Sequence, residues 1–121
     1  MSDPSNLTGN AANREHVQYA ARKTKDRRAG ELSDLKAVLA ETTGRRVLWR
    51  LLEHCSSFES IWAEGNRVHY NAGRQDIGHF LMAEIQDADP DALVRLMVEA
   101  GARKKRERAE NIAAQRPAAE V

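Results

Sequence analysis

Gly44-Arg45-Arg46-Val47-Leu48-Trp49-Arg50-Leu51-Leu52-Glu53-His54-Cys55 is the stretch whose pattern decides the fold. Val47, Leu48, Leu51, Leu52 and Cys55 recur at helical spacing and fall on one stripe, with Arg45, Arg46, Arg50 and Glu53 on the other side. Trp49 sits at the edge of the stripe, where it can serve core or contact surface. Thr42, Thr43 and Gly44 interrupt the chain before it. On the N-terminal side of that break, Leu32, Leu35, Val38 and Leu39 repeat at the same period up to about Glu41, a second short amphipathic helix.

Working outward toward the C-terminus, Ser56 to Gly73 is the least regular part. Phe58, Ile61 and Trp62 at i, i+3, i+4 predict one helical turn that pins this segment to the core. Glu64-Gly65-Asn66 is a turn signal, and Arg67 to Tyr70 reads as briefly extended without a partner strand. Asn71 is placed to cap a helix that carries Ile77, Phe80, Leu81, Glu84, Ile85 and Ala88, with Gly78 a tolerated weak point. Asp89-Pro90-Asp91 predicts a further start: a capping Asp, Pro at the first helical position and an acid in the first turn. Leu93, Leu96, Met97 and Ala100 form the inner stripe of that last helix. It can run to about Gln115, before Pro117.

Working outward toward the N-terminus, MSDPSNLTGNAA is small and polar and reads as a flexible tail. Asn13 to Arg28 is compatible with helix but thinly apolar, and Gly30 is a natural stop. The expected fold is therefore all-α: a small bundle of about four helices over residues 32–100. A tail and basic helical arm (1–31) and a second basic helical arm (101–121) flank it.

The 121 residues leave room for one domain. Hydrophobic residues are 41% and charged residues 31%, so a sizeable surface must meet water or a polar partner. The net charge of +1 conceals a division. Residues 32–100 carry seven basic and eleven acidic side chains, residues 1–31 six and four, and residues 101–121 six and three. The centre is acidic and both arms are basic. No apolar run approaches the roughly 20 residues of a membrane span, and no secretory h-region is present. A lone cysteine suits an intracellular folding environment.

The four histidines and Cys55 do not form a metal-ligand pattern: His54 and Cys55 are adjacent, and His69 and His79 lack an H-x-x-x-H or a second Cys. Glu53 and His54 are near in sequence, which is weak support for acid–base chemistry. No phosphate-binding glycine loop or nucleophile elbow occurs. No metal, no cofactor and no catalytic residue is expected. The basic runs are better candidates: Arg22, Lys23, Lys25, Arg27 and Arg28 in one arm, Arg103, Lys104, Lys105, Arg106 and Arg108 in the other. Such blocks bind phosphates of nucleic acid, contact acidic protein surfaces, or stay solvated as helix ends that the dipole favours. Trp49 and Trp62 join them as interface candidates, since aromatic and Arg side chains dominate contact energetics.

Across residues 33–100 the pattern resembles a family of small structural, tail-associated proteins of short-tailed phages and prophages, first named from a Bordetella podophage. The resemblance lies in Asp34-Leu35-Lys36-x-Val38-Leu39, the Gly44-Arg45-Arg46-Val47-Leu48-Trp49 run and an aromatic at Phe58. It continues in Asn71-x-Gly73-Arg74-Gln75-x-Ile77-Gly78 and closes on Leu81-x-x-Glu84-Ile85 and Asp89-Pro90-Asp91. It implies a multi-copy accessory component of a virion, at the portal, tail or internal head region. Its partners would be other virion proteins and, through the basic arms, packaged DNA, after synthesis in the host bacterial cytoplasm. The alternative is a small helical DNA-binding or regulatory or assembly protein. That needs residues 33–55 to act as a helix-turn-helix, with Arg45, Arg46 and Arg50 reading bases.

Overall fold

One residue separates the first two helices. Glu41 takes an extended conformation (φ −100°, ψ 136°) between α1 (Pro4–Ala40) and α2 (Thr42–His54). The rest is α3 (Arg67–Ala88) and α4 (Ala92–Gln115). The computed structural model describes residues 4–55 and 57–116, and among the described residues there is no strand. The fold is the expected all-α one. No helix among the described residues is long and apolar enough to cross a membrane.

The chain divides into two units, Met1–Asp34 and Leu35–Val121, and the division falls inside α1. The first unit is the long N-terminal stretch of that helix, in which every residue from Ala11 to Arg27 is exposed. The two helices expected here are one. Gly30 does not stop α1, because a glycine ends a helix by adopting a left-handed conformation and Gly65 alone has a positive φ (69°) among the described residues. The helix also takes in most of the stretch expected to be a tail. Residues 1–3 and the expected boundary at Pro117 lie outside the described residues.

In the second unit α2, α3 and α4 pack against one another. The core is Leu39 from the last turn of α1, Leu48 and Leu52 from α2, Ile85 from α3, and Ala92, Leu93 and Leu96 from α4. Leu35, Trp49, Leu81, Met82 and Ala88 pack around it half-buried. The predicted stripes are therefore too wide. Ile77 and Phe80, expected inside, are 63% and 65% exposed, and Val47 and Leu51 also face outward. The physical reason lies on α3. Its inner line runs through Gly78, Leu81, Met82 and Ile85, about 100° of helix away from Ile77.

Two glycines let neighbouring atoms approach the helix backbone. A Cβ on Gly44 would run into the Val38 carbonyl and lie 2.8 Å from Val38 Cγ1. Thr42, Thr43 and Gly44 thus form the first turn of α2 rather than an interruption. A Cβ on Gly78 would strike Ser57 Oγ and lie 2.8 Å from Cys55 Cβ, so Gly78 is a packing position and not a weak point. Arg67 to Tyr70 is the first turn of α3, with Asn66 rather than Asn71 at the cap. Asp91, not Asp89, is the N-cap of α4, and Pro90 stands in the preceding turn. The Asp89 carboxylate accepts the Asp91 backbone N–H at 3.0 Å, so it orders the turn instead.

The two kinds of glycine separate under substitution. Gly44→Ala should lower stability by about 1–3 kcal/mol through overpacking. Gly30→Ala, with nothing within 4 Å of its Cβ, should be neutral or stabilising by up to about 1 kcal/mol through helix propensity. Urea unfolding of both variants measures the difference, and equal midpoints would contradict the close approach at Gly44.

Candidate functional site

The loop after α2 is held by a polar ladder, not by the helical turn expected from Phe58, Ile61 and Trp62. His79 Nε2 donates to the Ser57 carbonyl (3.2 Å), Gln75 Nε2 to that of Glu59 (2.7 Å) and Asn71 Nδ2 to that of Ile61 (3.3 Å). The donors are four residues apart on α3 and the acceptors two apart in the loop, running in opposite directions. Residues four apart recur about one turn, roughly 6 Å, along one face of α3, so each rung meets the next acceptor along the loop. Ser57, buried, donates its hydroxyl to the Leu52 carbonyl (2.9 Å) and closes the end of α2.

This fixes Phe58 against Trp49, ring centroids 5.4 Å apart and planes at 23°. Trp62, by contrast, is 80% exposed. Two clefts flank Trp49 along the seam of α2 and α4. The first, about 440 Å³, is lined by Thr43, Arg46, Val47, Trp49, Arg50, Glu53 and Arg103. The second, about 420 Å³, is lined by Trp49, Glu53, Ser57, Phe58, Met97 and Lys104, among others. The indole N–H of Trp49 is shut off from solvent with no acceptor among the described residues.

The arginines of α2 divide their work. Arg45, its side chain 11% exposed, donates from Nε to both Glu99 carboxylate oxygens (2.9 and 3.1 Å) and from Nη2 to Glu99 Oε1 (2.9 Å). It also donates to the Leu39 carbonyl (2.8 Å) and Thr42 Oγ1 (3.1 Å). A guanidinium so engaged cannot read bases, which corrects the role the helix-turn-helix alternative gave it. Arg46 and Arg50 point the other way, into the first cleft.

The remaining sequence candidates scatter. Arg22, Lys23, Lys25 and Arg27 are exposed on α1, and Arg28 is half-buried with Glu31 3.6 Å away. At about 100° per residue these five surround the helix rather than line one face. The same holds for Arg103, Lys104, Lys105, Arg106 and Arg108, of which Arg103 and Lys104 reach the clefts. Arg46 and Arg50 were missed as partners of that arm. Their four-residue spacing was visible, but nothing in sequence order says that α2 lies beside α4. Among the described residues no three His, Cys, Asp or Glu side chains gather as metal ligands. His79 meets the Ser57 carbonyl and not its hydroxyl, so the two are not arranged as base and nucleophile. The chain matches no family model, no curated protein and no solved structure.

Removing the ladder should loosen Phe58 from Trp49. Gln75→Ala and His79→Ala should each cost about 0.5–1.5 kcal/mol, the net worth of one hydrogen bond. Near-UV circular dichroism should lose aromatic signal in both variants. An unchanged aromatic spectrum in both would contradict the ladder's positioning role.

Proposed function

We propose that this protein is a non-catalytic accessory component of a bacteriophage particle that works through protein–protein contacts. The observation that carries the contact half is α1: 37 residues of helix, exposed on every side from Ala11 to Arg27. A polar helix without an apolar face gains little from forming alone in water. A surface that supplies neighbours supplies its reason. Exposed Tyr70, Ile77 and Phe80 on α3 and Val94 and Val98 on α4 add apolar area beyond what the core uses.

The particle half rests on the resemblance across residues 33–100. From Leu35 onward its positions fall on the parts that build the second unit. Leu39, Leu48 and Ile85 are core, Gly44 and Gly78 are close approaches, and Asn71 and Gln75 are rungs of the ladder. The resemblance is thus one of body rather than of a reactive site. The portal, the tail and the internal head region are the candidate locations, with other virion proteins as partners and many copies per particle.

Mass spectrometry of purified virions tests this. The chain should be present at more than one copy, with crosslinks from Lys23, Lys25, Lys104 or Lys105 to other virion proteins. Absence from virions, together with salt-dependent binding of duplex DNA by the isolated chain, would replace this reading with the DNA-binding one.

A further inference from the structure

We infer that the seam between α2 and α4 is a binding site for an acidic, amphipathic protein segment. Arg46, Arg50 and Arg103 line the first cleft, and Lys104 lines the second. Among the described residues none of these four makes a hydrogen bond or ion pair, whereas neighbouring Arg45 is bonded to Glu99, Leu39 and Thr42. Three cations from two helices line the first cleft and a fourth lines the second, and among the described residues the acids lining the two clefts are Glu53 and Glu59. A guanidinium offers planar paired donors that match a carboxylate.

The rest of the groove selects the kind of anion. Val47, Trp49, Phe58 and Met97 form apolar walls, suited to aliphatic side chains of a partner helix. Glu53 lies at the junction of the two clefts and opposes a continuous line of phosphates. A protein segment presenting carboxylates on one side and Leu- or Ile-type side chains on the other satisfies both walls. This assignment rests on the contact-protein reading and names the partner chemistry for one surface of it.

The test uses the full chain carrying Trp62→Phe, so that Trp49 is the only indole. The probe is a fluorescein-labelled helical peptide with paired Glu on one face and Leu on the other, compared with its Glu-to-Gln counterpart and with duplex DNA. The acidic peptide should bind by anisotropy and shift Trp49 emission, while the Gln peptide binds far more weakly. The double variant Arg46→Ala/Arg50→Ala should weaken binding about tenfold or more, as should Arg103→Gln from the other helix. Arg106→Ala, outside both clefts, should change nothing. Equal binding of the Gln peptide, or indifference to both cleft variants, overturns the site. So does DNA binding that depends on the same arginines, which would make the ligand a phosphate. None of these outcomes touches the virion measurement, so the two readings fail separately.

Discussion

The guanidinium of Arg45 ties together the three segments that meet at the top of the second unit. It bonds the Leu39 carbonyl at the end of α1, the Thr42 hydroxyl at the start of α2 and the Glu99 carboxylate on α4. The Leu39 carbonyl belongs to the last turn of a helix, where carbonyls lose their intrahelical partners. Arg45 supplies the donor, and the one-residue break at Glu41 brings it within reach. Gly44 completes the arrangement by letting α2 start against the backbone of Val38. Because Glu99 is only 26% exposed, removing either partner would leave a half-buried charge, which is costlier than losing a surface pair.

From that corner, the remainder follows by packing. Leu39, Leu52, Ile85 and Leu96 are sealed, with Leu48 and Leu93 nearly so, but few other large side chains are. A core this small cannot use all the apolar residues of three helices, and Ile77, Phe80, Val94 and Val98 stay outside. The loop 57–61 does not close over them. It is drawn along the Asn71–Gln75–His79 line instead and delivers Phe58 to Trp49. Core and exposed apolar surface are therefore different residues on the same helices.

Periodicity locates α2, α3 and α4 and the centre of each buried face, but not the width of that face or the continuity of α1. Leu48, Leu52, Ile85, Leu93 and Leu96 fell on stripes that were correctly placed, while Ile77 and Phe80 shared the same broad stripe and lie on its outer flank. Gly30 and Gly44 look alike in a sequence, and only the backbone geometry tells a passive glycine from one that admits a neighbour. The three rungs Asn71, Gln75 and His79 show a visible four-residue spacing, yet their partners are backbone carbonyls, which carry no sequence signature. The groove beside Trp49 was half legible. Trp49, Arg103 and Lys104 stood out as contact candidates, but Arg46 and Arg50 joined them only through the α2–α4 packing, a pairing across more than fifty residues of chain.

The central claim is that a self-sufficient packed unit carries a helix that needs a partner. Residue-resolved amide hydrogen exchange on the isolated, dilute chain addresses it directly. The account predicts strong protection at Leu52, Ile85 and Leu96, and little from Ala11 to Arg27, with protection there rising once the chain sits in its assembly. Protection of residues 11–27 equal to that of the core in the isolated chain would contradict it, because α1 would then be stable without a neighbour.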